Sequence, residues 1–174
     1  MAQPGTVSSV NPETLKGVYL LKDLTPDELA QFAVACTVAE FKAGETIIRE
    51  GDTGDEMYIL LEGVVEISRK LTMLASQEQD ELNKTLVTLS AKERPFFGEM
   101  GLLGQKERTA SVIAKNDCKL VTIRQASFER LCNENPKMGV AILKLVALTA
   151  GERLLKTNKD VMKLTTALCL ALEP

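Results

Sequence analysis

Apolar residues fall in short interrupted runs through the middle of the chain and at helical spacing towards its ends. The middle runs cover 38–41, 46–50, 56–61, 64–70, 86–89, 108–114 and 119–123. They are rich in Val, Ile, Leu, Phe and Thr, which suit a half-buried pleated surface. Between them stand Ala43-Gly44, Gly51-Asp52-Thr53-Gly54 and Glu62-Gly63, residue types that supply turn conformations. Many short strands joined by glycine turns predict a mainly β fold, an antiparallel jelly-roll-like β-roll.

The flanks read as helices. A short one is expected over 12–21. A second starts at Thr25 as N-cap, with Pro26 at the first helical position and Glu28 three residues after the cap. That is a capping box, with Leu24 and Leu29 placed to staple it, and the helix should run to about Ala35. Ser127 is expected to cap a helix over 128–133, and Pro136 to open a long helix reaching about Leu172. Leu154, Val161, Leu164 and Leu168 repeat at helical spacing, with Lys156, Lys159, Asp160 and Lys163 on the other face. The last stretch, 165–172, is apolar on nearly all sides and needs a cover, either the domain's own surface or a second subunit in a homodimer. The expected organisation is a flexible tail at 1–11, a β-roll domain with N-terminal helices at 12–135, and a C-terminal helical segment at 136–174.

Composition narrows the function classes. The chain has 174 residues, 45% hydrophobic and 26% charged, which is globular rather than disordered. The net charge of −3 and the lack of a long basic run argue against nucleic-acid binding. No apolar run is long enough to span a membrane, and residues 1–11 lack a signal-peptide pattern, so a cytoplasmic protein is expected. The four cysteines, Cys36, Cys118, Cys132 and Cys169, are scattered and expected to be reduced thiols, mostly buried. There is no histidine, which removes Ser–His and Cys–His nucleophilic arrangements in their usual forms and speaks against a catalytic metal site. Neither G-x-G-x-x-G nor G-x-x-x-x-G-K-[ST] occurs.

The chemistry concentrates in Phe97-Gly98-Glu99-Met100-Gly101-Leu102-Leu103-Gly104-Gln105-Lys106-Glu107-Arg108-Thr109-Ala110. Gly98 and Gly101 let the backbone approach a ligand closely. A helical turn opening at Glu99 would direct free N–H groups at an anion. Arg108 can grip a phosphate through two parallel charge-assisted bonds. Glu99 would repel that phosphate and is an acceptor only, so its natural partner is a sugar hydroxyl. Phosphate and ribose hydroxyl in one small site describe a nucleotide.

Together with the stretch from Ile47 to Gly63, this segment resembles the two signature stretches of the cyclic nucleotide-binding domain family. The resemblance covers roughly residues 18–135, and the second stretch is similar to the family's phosphate-binding cassette. It implies that Glu99 takes the ribose 2′-hydroxyl and Arg108 the cyclic phosphate. Backbone amides near Gly101 and Ala110 would complete a cradle framed by Phe97, Gly98, Met100 and Leu102. Thr109 stands where cAMP-selective kinase domains usually carry Ala and members that accept cGMP often carry Thr. A hydroxyl there can bridge the phosphate and the guanine amino group; cAMP remains the first expectation, with cGMP also accepted. Two departures stand out: a long polar insertion at 71–85, and Ala91-Lys92-Glu93-Arg94-Pro95 in place of a glycine-containing turn.

The expected function is a non-catalytic cyclic mononucleotide sensor, without metal, whose C-terminal helix shifts on binding and signals to a protein effector. Membrane and nucleic-acid partners are not expected. The alternative is a degenerate fold of the same family acting only as a protein interaction module. A transcription regulator lacks its DNA-binding domain here, and an enzyme lacks a visible nucleophile and base.

Overall fold

The computed structural model describes residues 10–70 and 83–172. Among the described residues, eight strands form two four-stranded antiparallel sheets. The first holds β1 (Thr37–Phe41), β8 (Cys118–Arg124), β3 (Glu56–Glu62) and β6 (Phe96–Phe97), in that spatial order. The second holds β2 (Thr46–Ile48), β7 (Ser111–Ala114), β4 (Val64–Lys70) and β5 (Asn83–Ser90).

The period of two along β3 and β8 explains the layering. Met57 and Ile59 point to one face of the first sheet, with Val121 and Ile123 beside them. Leu60, Leu120 and Cys118 point to the other face and meet Ile48, Val65, Val112 and Ala114 of the second sheet. Ile59 lies opposite Val121, and Leu60 opposite Leu120, so the register keeps each face consistent. The outer face is covered by helices: Leu15, Leu20, Phe32, Met138, Ile142 and Leu145 pack there with less than 2% exposure. Each such side chain contributes about 1.5–3 kcal/mol by leaving water.

Most expected elements form. Helix α1 (Pro26–Val34) carries the capping box in full: Glu28 N–H donates to Thr25 Oγ1 (3.3 Å) and Thr25 N–H donates to Glu28 Oε2 (2.9 Å). The long helix α4 runs Pro136–Leu172. The differences have local causes. The expected helix at 12–21 is two 3-10 turns, Pro12–Leu15 and Tyr19–Leu21, because Gly17 adopts a left-handed φ of 81° between them. Helix α3 starts earlier than expected, at Gln125 (Gln125–Glu134), and Ser127 does not cap it. Gln125 N–H instead donates to Asp55 O (3.0 Å), so the helix leaves β8 directly. Strand β6 has no counterpart among the expected strands, since two residues carry no readable period. Of the expected tail at 1–11, Val10 is buried and Asn11 accepts from Glu13 N–H, while 1–9 lie outside the described residues. Most of the 71–85 insertion, 71–82, also lies outside them; Asn83–Ser90 already pairs with β4.

Candidate functional site

The two glycine-bearing segments of the sequence are joined through the backbone. Arg108 N–H donates to Asp52 O (2.8 Å), Gly51 N–H to Arg108 O (2.8 Å) and Gly54 N–H to Lys106 O (2.9 Å). These bonds hold the turn at 51–54 against the loop at 105–110. They also keep Arg108 out of β7, which begins at Ser111 rather than at the expected Arg108.

Arg108 turns inward from this junction and is only 8% exposed. Its Nη1 donates to Glu56 O (2.9 Å) and to Gly98 O (3.4 Å), and its Nη2 to Glu56 Oε2 (3.1 Å). Three glycines wall the guanidinium. A Cβ added at Gly54 would stand 2.6 Å from Nε and Nη2; one at Gly101 would stand 3.0 Å, and one at Gly98 3.1 Å, from Nη1. Gly98 also has a φ of 76° and precedes the single helical turn α2 (Glu99–Leu102). A side chain at Gly54 would force the guanidinium to move, and one at Gly98 or Gly101 would press on it.

Glu99, nine positions earlier in sequence, is 8% exposed. Arg153 of α4 reaches it: Nη1 donates to Glu99 Oε1 at 2.5 Å, and Nη2 to Phe96 O at 2.7 Å. The Arg153 guanidinium also lies 5.4 Å from the Phe96 ring centre. Thus one carboxylate links the 97–110 segment to the C-terminal helix. The site carries a buried cation at Arg108 and a nearly buried anion at Glu99, each with an internal counter-ion.

The structure therefore packs Gly98 and Gly101 against Arg108, while Glu99, between them in sequence, binds Arg153. Phe97 and Leu102 are core residues, 2% and 5% exposed, so only their backbone can face a ligand. Phe97 stacks on Tyr58 at 5.5 Å. Met100 is 40% exposed, Thr109 is exposed and Ala110 is half-buried. The Gly101 N–H is engaged by Gly98 O (3.0 Å) within the turn. Three contributors escaped sequence reasoning. Gly54 reads there as a turn glycine, yet its φ is not left-handed and its role is the close approach to Arg108. Glu56 reads as the start of a strand. Arg153 stands 54 positions from Glu99, and no local spacing connects them.

Burial pushes the thiols of Cys36, Cys118 and Cys132 up, away from the thiolate. Burial, and then the Glu56 carboxylate, pushes Tyr58 up to about 12. Among the described residues no group of three or more Cys, Asp or Glu side chains could hold a metal ion, and no helix is long and apolar enough to cross a membrane.

Comparison with known proteins places this geometry. Residues 38–135 match the family model for the Cyclic nucleotide-binding domain. The chain is 36% identical over 117 residues to a cAMP-dependent protein kinase regulatory subunit of Hypocrea atroviridis, covering 67% of this chain and 22% of that one. It is 33% identical over 121 residues to the cGMP-dependent protein kinase, isozyme 1, of Drosophila melanogaster, covering 69% and 15%. Among solved structures, the regulatory domain of Toxoplasma gondii PKA, crystallised with cAMP, matches with a TM-score of 0.66 and 28% identity, over 81% of this chain and 48% of that one. The chain spans about a quarter or less of the length of these curated relatives.

Proposed function

We propose that this chain, which belongs to the cyclic nucleotide-binding domain family, is a non-catalytic sensor of cyclic mononucleotides. The observation that carries this is the Arg108 guanidinium, buried between Gly54, Gly98 and Gly101 within the matched region, where Glu99 directly follows Gly98 in the chain. In this reading Arg108 holds the cyclic phosphate and Glu99 accepts from a ribose hydroxyl. Backbone amides near Gly101 and Ala110 complete the cradle, and backbone at Phe97, Gly98, Met100 and Leu102 frames it. No metal takes part. Residues 12–135 form the sensing unit and 136–174 the output.

The output runs through Glu99. Its carboxylate is held by Arg153, so a ribose hydroxyl and the C-terminal helix share one group. Ligand binding changes what Arg153 has to bind, and a protein effector reads the position of α4. Arg153→Gln should therefore shrink the nucleotide-dependent change in hydrogen-exchange protection along α4, and should alter affinity less than loss of Arg108 does. A ligand-dependent change that persists in full in the variant would remove Arg153 from the output.

The far end of α4 supports a homodimer. Leu154, Val161, Leu164 and Leu168 are all more than half exposed, and a matching helix of a second copy would cover them. The reading places the protein in the cytoplasm, with neither membrane nor nucleic acid as partner.

Base preference falls to Thr109. It follows Arg108 directly and is exposed, so its hydroxyl can reach both the phosphate and a guanine 2-amino group. One neutral hydrogen bond is worth about 0.5–1.5 kcal/mol, a few-fold to roughly tenfold effect. Both nucleotides should bind, with cAMP as the first ligand. Thr109→Ala should weaken cGMP more than cAMP in equilibrium titrations. Equal losses would mean that the hydroxyl never meets the base.

A further inference from the structure

We infer that Glu56 is an internal stand-in for the ligand's anion, displaced onto Arg124 when a nucleotide binds; this rests on the reading of Arg108 as the phosphate holder. Glu56 meets Arg108 in two ways. Its backbone oxygen accepts from Nη1 (2.9 Å) and its carboxylate accepts from Nη2 (3.1 Å). The backbone contact is fixed, because Glu56 opens β3 and lies opposite Arg124 in the ladder with β8. The carboxylate contact is exchangeable. Its side chain is 23% exposed, and its other oxygen already lies 3.7 Å from Arg124 Nε, on a side chain that is 72% exposed.

The carboxylate therefore bridges a buried arginine and an exposed one on the neighbouring strand. A cyclic phosphate gripping Arg108 through Nε and Nη2 would share Nη2 with Glu56 Oε2, and two anions on one guanidinium repel. The exposed Arg124 provides the route out. The carboxylate moves towards it, keeps a counter-ion, and leaves the backbone carbonyl of Glu56 to hold Nη1 in place. Binding becomes an exchange of one anion for another at Arg108, and the protein neutralises its buried cation whether or not a ligand is present. The ligand affinity is then set by the difference between the two anions rather than by the phosphate contact alone.

Glu56→Gln keeps the backbone carbonyl and the side-chain shape but removes the competing charge. Titration of the full chain with cAMP should show the variant binding about fivefold tighter than the parent. Without nucleotide, Glu56→Gln should melt below the parent; at saturating cAMP the deficit should vanish or reverse, because the phosphate supplies the missing charge. Arg124→Gln should weaken cAMP binding in the parent but have a smaller effect in the Glu56→Gln background, since no carboxylate then needs receiving. Binding by the parent with equal or weaker binding by Glu56→Gln would overturn the exchange and leave the phosphate site standing. Additive effects of the two changes would overturn the part assigned to Arg124. Failure of both parent and variant to bind would overturn the phosphate-site reading itself.

Discussion

Arg108→Ala should weaken binding of both cAMP and cGMP by about 2–5 kcal/mol, the cost of leaving a desolvated anion without its partner. In dissociation constants this runs from about thirtyfold to several thousandfold. The size of the effect follows from burial: Arg108 is 8% exposed, so water replaces the lost charge poorly. The fold should survive, because Glu56 keeps Arg124 as a partner and the backbone bonds of residue 108 to Gly51 and Asp52 do not involve the side chain. Arg108→Lys should recover only part of the loss, since a point charge cannot reproduce the fork that meets a phosphate. Titration of the variants, with melting curves to confirm folding, checks both parts. An Arg108→Ala protein that binds like the parent would place the phosphate elsewhere.

Phe97→Ala should act in the opposite manner, lowering stability steeply while the groups that would hold the phosphate and the ribose stay in place. The ring is 2% exposed, stacks on Tyr58 and belongs to the core between the two sheets. Truncation of a buried Phe costs about 3–5 kcal/mol through reduced burial and the cavity left behind. For a domain of this size that is roughly a 10 °C fall in melting temperature. Nucleotide should raise the melting temperature of this variant by about as much as that of the parent, because the guanidinium cradle is built from other residues. A fall of only a degree or two would mean that the ring does not anchor β6 in the core.

The sequence carried the fold where its signals are local. Short apolar runs at 56–61 and 119–123 marked two strands, and Thr25-Pro26-Glu28 marked a helix start that the structure reproduces bond for bond. It failed where one residue broke a pattern, as at Gly17, or where an element was too short to have a pattern, as at Phe96–Phe97. Gly98 and Arg108 were legible together because they lie in one short segment, and the structure brings Arg108 Nη1 onto Gly98 O. Glu56, Gly54 and Arg153 were not, for different reasons. Gly54 matters through what a Cβ would strike, and Glu56 through an ion pair across the turn; both depend on the docking of two segments that are distant in sequence. Arg153 matters because α4 returns over Phe96, a tertiary fact with no periodic trace.

The central claim is that the site around Arg108 and Glu99 takes a cyclic mononucleotide. Titration calorimetry of the unmodified full chain with cAMP and with cGMP tests it directly. One nucleotide per chain should bind with a dissociation constant in the micromolar range or tighter, at least about 8 kcal/mol of binding free energy, and should raise the melting temperature. No heat and no melting shift at millimolar cAMP and cGMP would contradict the account and would leave a fold of this family acting only as a protein interaction module.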